Sequence, residues 1–143
     1  MNSKKKAYQI AEEQMYNHDA FSQWLGIEIV DLDAGKAVLK MVVRDEMTNG
    51  FGIAHGGITY SLADSALAFA SNAYGRHSVS IETSISHTQP VRVNDVLLAS
   101  VCEESLNHKI GVYRVLIENQ SKETVAIFKG TVYRSSKEWE VME

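Results

Sequence analysis

An α+β fold, with an antiparallel sheet curled around one central helix, is what three features of this 143-residue sequence predict. One is a long segment, Gly57 to Tyr74, in which Ile58, Tyr60, Leu62, Ala63, Ala66, Leu67, Ala68, Phe69, Ala70 and Ala73 leave almost no polar face, as in a helix surrounded by protein. Another is a set of strand-like runs on both sides of that helix, joined by short turns. The third is the lack of helical segments between the later strands: parallel neighbours would need them as crossovers, so the strands must pair antiparallel.

Taken in order, Lys4 to Asn17 is rich in helix formers, with Ala7, Ile10, Ala11 and Met15 at helical spacing, and predicts a short N-terminal helix that packs by one face. Ile27 to Asp33 is β-branched, Asp33-Ala34-Gly35 is a turn, and Ala37 to Arg44 resumes as strand, which together read as a hairpin. Met47 to His55 contains Asn49, Gly50 and Gly52 and reads as a loop leading into the helix. Beyond Gly75 the period becomes two: Val79, Ile81 and Ile85 alternate with polar residues, as a strand with one buried face would. Three further strands are predicted over roughly Asp95 to Glu104, Ile110 to Asn119 and Thr124 to Arg134, followed by a solvated tail. No repeat, linker or low-complexity stretch divides the chain, so one domain over residues 1–143 is expected. The exposed edge of such a sheet is a natural place for a second copy to pair, and at least a dimer is expected.

Composition narrows the function. With 45% hydrophobic and 22% charged residues the chain should fold as an ordinary globular domain, and a net charge of −4 with a pI near 5.7 argues against nucleic acid as a partner. No apolar run reaches the roughly 20 residues of a membrane span, and the N-terminus lacks the apolar core of an export signal, so a cytoplasmic protein without a membrane partner is expected. The single cysteine, Cys102, sits in an apolar run and reads as a small buried side chain. His18, His77, His87 and His108 are scattered without metal-ligand spacing, so no metal is expected and these residues read as surface or packing groups.

The chemistry concentrates between Asn49 and Asp64. Gly56 and Gly57 lie where loop becomes helix: there they either let a ligand approach the unsatisfied first amides, at the positive end of the helix dipole, or simply allow tight packing. Asp64 is an ionisable group in the middle of an apolar helix, so it must be compensated by a hydrogen bond or be there for catalysis. Asn49 and His55 bracket the loop and can orient water or hold the loop itself. Seven residues of helix separate Gly57 from Asp64, a rise of about 10.5 Å on nearly the same face. An amide that polarises a carbonyl must lie about 3 Å from its oxygen, with the attacking group near its carbon. If both act on one carbonyl, the Gly57 amide comes from one subunit and Asp64 from another, across an antiparallel pair of helices. The G-x-S-x-G nucleophile elbow, the P-loop and the dinucleotide fingerprint do not occur in the chain.

The run from Asn49 to Asp64, above all His55-Gly56-Gly57 and Ser61-Leu62-Ala63-Asp64, resembles the hotdog thioesterases of the PaaI type, associated with phenylacetate catabolism. The similarity extends from the N-terminal helix and Trp24-Leu25-Gly26-Ile27 through Thr88-Gln89-Pro90 to the final strand. The resemblance implies a hotdog fold, dimers with shared sites often paired into tetramers, and hydrolysis of an acyl-CoA thioester with no cofactor beyond the CoA of the substrate. It implies Asp64 as nucleophile or general base and the Gly57 amide as carbonyl polariser. Asn49 and His55 would hold water or carbonyl, while Gly56 and Ser80 would lie against the substrate. A preference for aromatic acyl groups rests on the same resemblance. Asn94 stands where such proteins commonly have Gly before Asp, in a turn that Asn can also make. The rival reading is a non-catalytic domain that binds acyl-CoA.

Overall fold

The computed structural model describes all residues 1–143. Helix α1 (Ser3–Ala7) continues through wider π-type turns over Tyr8–Met15, and Ala7, Ile10 and Ala11 on its inner face are fully buried. A short α2 (Ala20–Trp24) follows, capped by the Asp19 carboxylate. Strands β1 (Glu28–Asp33) and β2 (Lys36–Val42) form the expected hairpin, with Gly35 at φ +69° in its turn. Helix α3 (Gly56–Asn72) precedes β3 (Arg76–His87), β4 (Val96–Leu106), β5 (Ile110–Glu118) and β6 (Thr124–Glu138).

The six strands form one sheet in the order β1-β2-β4-β5-β6-β3, and every pairing is antiparallel. α3 lies in the concave face, touching all six strands. Leu62, Ala63, Ala66, Phe69 and Ala70 of α3 are buried among Leu39, Met41, Leu97, Val115, Ile117 and Phe128. The helix therefore lies at the centre of the hydrophobic core, as its lack of a polar face requires. Asn94 has a φ of 74°, the left-handed backbone expected of its turn.

Two expectations are corrected. Val79 and Ile81 are not on a buried face: they are 61% and 58% exposed, because β3 is the outermost strand and a register shift between Ser80 and Glu82 interrupts its alternation. Cys102 is exposed, since Leu97 and Ala99 point into the core and alternation turns Leu98, Ser100 and Cys102 outward. The C-terminal tail is exposed, as expected, and is held at several points. The Trp139 ring stacks on His77 with centroids 3.9 Å apart, its Nε1 donates to Asn72 Oδ1, and Gln9 and Gln14 hold the backbone of Met142 and Glu140.

Candidate active site

Two stretches of α3 and the strand beside it carry the site. At the helix start, His55 is the N-cap, and its Nδ1 accepts the Gly57 amide at 2.9 Å. That bond corrects the expectation that Gly57 polarises a carbonyl, because its N–H is already taken by the capping ring. The Gly56 amide, one residue earlier, has no acceptor within the protein. It is the free donor at the positive end of the helix.

The loop before the helix is fixed by its own hydrogen bonds. Asn49 donates its amide N–H to Ile53 O, and its side-chain Oδ1 accepts from Phe51 N at 2.9 Å, which leaves Nδ2 available as a donor. Asn49 and Gly56 share a cavity of about 370 Å³ with Thr59 and His87. His55 and Gly57 face a different cavity, of about 390 Å³, with Phe21, Trp24, Met47 and Ile58. The two cavities flank the Gly56-Gly57 turn, and the second is partly aromatic.

Asp64 lies two turns along α3, half-buried and without a hydrogen-bond partner. Its cavity, about 250 Å³, is lined by Leu67, Ser71, Ser78, Val79, Ser80 and Val132 among others. Burial raises the Asp64 carboxyl above the ordinary carboxylate range, and the negative charge of Asp19 raises it further. Asp19 is held there by Ser22, whose hydroxyl donates to it at 2.6 Å and in turn accepts from Ser65 at 2.7 Å. Within one chain, then, Asp64 and Ser80 come together, and Asn49 and Gly56 come together, but no cavity contains both pairs. No cluster of His, Cys, Asp and Glu is arranged to hold a metal ion.

The aromatic residues of the central region do not line these spaces. Phe69 is core, packed edge-on against Tyr16; Tyr60 hydrogen-bonds Thr83 and packs edge-on against Phe128; Phe51 is 90% exposed. His87 is on the surface, as expected, but sequence reasoning missed that it stands beside the glycine turn. It lines the cavity with Gly56, and its position at the end of the strand just before Thr88-Gln89-Pro90 was the available signal.

Comparison with known proteins agrees with this architecture. Residues 51–126 match the thioesterase superfamily model. The chain is 40% identical over 129 residues to the acyl-coenzyme A thioesterase PaaI of Escherichia coli, covering 90% of this chain and 91% of the relative. The solved structure of the E. coli PaaI protein, from the phenylacetic acid degradation operon, superposes with a TM-score of 0.92 at 37% identity, over 96% of this chain and 99% of that one. The TT0310 protein of Thermus thermophilus gives a TM-score of 0.79 at 36% identity, over 82% and 99%. A helix held in a curled antiparallel sheet is thus the local form of a known architecture, and the chain belongs to the thioesterase superfamily as a hotdog protein of the PaaI type.

Proposed function

We propose that this protein, a single domain over residues 1–143, hydrolyses acyl-CoA thioesters in a site built from two subunits. The observation that carries the reading is Asp64: a half-buried carboxylate with no partner, its proton affinity raised, facing a cavity. Its stretch of helix matches the family to which the E. coli thioesterase belongs.

The carbonyl oxygen of the thioester sits on the Gly56 amide, the free donor at the helix start, with Asn49 Nδ2 beside it to hold carbonyl or water. His55 keeps the turn in place by accepting the Gly57 amide. Asp64 of the other subunit then works in one of two ways. It removes a proton from a water that attacks the carbonyl carbon, or it attacks that carbon itself to give a mixed anhydride that water cleaves. In either route the carbon–sulfur bond breaks and CoA leaves as its thiolate. Ser80, which lines the same cavity as Asp64, hydrogen-bonds the attacking water in this reading. Burial makes Asp64 a better base near neutral pH than an exposed aspartate would be.

Two features support pairing of subunits. The free edge of β3 is 12 residues long and exposes Val79 and Ile81, a surface suited to a second β3. The rise along α3 keeps Gly56 and Asp64 too far apart to serve one carbonyl from one chain. A tetramer assembled from two such dimers extends the same reading, as does an acyl-CoA substrate with an aromatic acyl group. For the latter, the E. coli relative's operon is one support and the Phe21–Trp24 stack beside Gly57, with ring centroids 5.9 Å apart, is the other. The exposed thiol of Cys102 suits the reducing cytoplasm.

The test is thiol release from a panel of aryl and aliphatic acyl-CoAs by wild type and Asp64→Asn. Release by wild type, reduced by about two orders of magnitude or more in the variant, is expected. Binding of acyl-CoA without release from any of them would replace the enzyme with a binding domain.

A further inference from the structure

His87, the last residue of β3, places its ring in the cavity at the start of α3 together with Asn49, Gly56 and Thr59. Its Nε2 lies 3.2 Å from the point where a Cβ on Gly56 would stand, and so beside the glycine with the unpartnered amide. Its Nδ1 lies 3.3 Å from Thr59 Oγ1. The Thr59 hydroxyl has one proton and two acceptors in reach, and the proton is assigned to the shorter contact, Gly56 O at 3.1 Å. In that arrangement the Thr59 oxygen accepts from His87, and Nδ1 carries the ring proton. In the neutral ring this leaves the Nε2 lone pair open toward the cavity. No charged side chain lines the cavity; Ile53, Ala54, Pro90 and Val91 give it an apolar wall, and Asn49, Thr59, His87 and Gln89 supply its hydrogen-bonding groups.

We propose that His87 is a specificity-determining residue of the thioesterase site. With the carbonyl on the Gly56 amide, His87 Nε2 accepts a hydrogen bond from an N–H or O–H of the same substrate. The inference rests on the placement of the carbonyl given above. Two parts of an acyl-CoA supply such a donor next to the thioester: the amide N–H groups of the pantetheine arm and a hydroxyl on the acyl group. The imidazole thus favours thioesters with a donor near the reacting carbon over those without one. Thr59 acts through His87 by fixing which ring nitrogen is bare.

The experiment compares wild type, His87→Phe and His87→Gln on two substrate pairs. One pair is a CoA thioester without and with a single acyl hydroxyl, phenylacetyl-CoA and mandelyl-CoA, whose hydroxyl is on the carbon next to the carbonyl. The other is a phenylacetyl thioester of N-acetylcysteamine and the phenylacetyl thioester of methyl 3-mercaptopropionate, which has no N–H. Loss of one hydrogen bond should lower kcat/KM by about tenfold in His87→Phe on donor-bearing members only. His87→Gln, whose Oε1 can stand near the Nε2 position, should recover most of it. A drop confined to the hydroxylated CoA thioester assigns the acyl hydroxyl; a drop on both CoA thioesters and on the N-acetylcysteamine thioester assigns the pantetheine amide. An equal drop on every substrate, or none on any, overturns the proposal, as does failure of Gln to recover any rate if wild type does not turn over the donor-free thioester. Absence of thiol release by wild type itself would instead defeat the enzymatic reading. The affinity for CoA by calorimetry would then still test His87: weaker binding to His87→Phe than to wild type and His87→Gln supports the amide contact, and equal binding to all three overturns it.

Discussion

Replacing Asn72 with Ala should destabilise the fold more than any change of similar size on the surface. Asn72 is the last residue of α3 and is 3% exposed. Its Nδ2 donates to Ala68 O at 2.9 Å and Ser78 O at 3.0 Å, and its Oδ1 accepts from Ser78 N and from Trp139 Nε1, each at 2.9 Å. The carboxamide thus serves Ser78, near the start of β3, in place of a neighbouring strand. In Asn72→Ala both backbone groups of Ser78, which is only 8% exposed, lose their partners. At about 1–3 kcal/mol for each unsatisfied buried group, the cost is about 2–6 kcal/mol, a large share of a total near 5–15 kcal/mol. At about 2–4 °C per kcal/mol for a chain of this size, scanning calorimetry should show the midpoint fall by roughly 5–20 °C. Trp139→Phe removes one of the four bonds and leaves Ser78 served, so its cost should stay near 0.5–1.5 kcal/mol. If Asn72→Ala melts no lower than Trp139→Phe, the reasoning is wrong. Because Ser78, Val79 and Ser80 line the Asp64 cavity, kcat of Asn72→Ala should also fall at temperatures where the variant is folded.

Asp64→Asn should raise the melting temperature at neutral pH while it removes activity. Folding raises the Asp64 proton affinity, so the ionised group opposes folding above its native pKa, and the gap between variant and wild type should close as pH falls below the unfolded value of about 3.9; a gap independent of pH would count against this. Asp19→Asn, which removes the second cause of the shift, should move the acid limb of the kcat/KM profile to lower pH. Mixing Asp64→Asn with Gly56→Val subunits, each inactive alone, should restore up to about a quarter of wild-type activity, since half of random dimers are hybrid with one of two sites intact; confirmed hybrids without activity would exclude the shared site. Native protein should yield one reactive thiol to a disulfide reagent, lost in Cys102→Ser, and a thiol unreactive until denaturation would contradict its outward position.

Much of the fold was legible because burial imposes a period. α3 carries apolar residues on every side since protein surrounds it, and β5, with β6 from Ala126 to Val132, alternates because one face lies on that helix. The alternation of β3 misled for a reason of position: an edge strand with a register shift can carry Val79 and Ile81 for a surface the single chain does not bury. Cys102 misled likewise, as apolar neighbours in a strand say nothing about which face a residue takes. At the site, Asp64 and the glycine pair were visible as a charge in an apolar helix and a turn at its start. The exchange of Gly57 for Gly56 was not, because it depends on which amide the His55 ring captures. His87 was hidden for a similar reason: its partners Thr59 and Gly56 are 28 and 31 residues away, and only the return of β3 alongside α3 brings them together.

In the proposed reaction the carbonyl donor and the acid are carried on one rigid helix, and this makes α3 a ruler that is read twice. In a symmetric pair the spacing from one subunit's Gly56 to the other's Asp64 depends on the same rise in both copies. Inserting one residue between them would turn everything beyond it by about 100° and advance it by about 1.5 Å. That error would occur in both sites at once, with no second scaffold to absorb it. Loops, strand ends and cavity walls can therefore drift to suit new substrates, while the residue count from Gly56 to Asp64 has no such freedom.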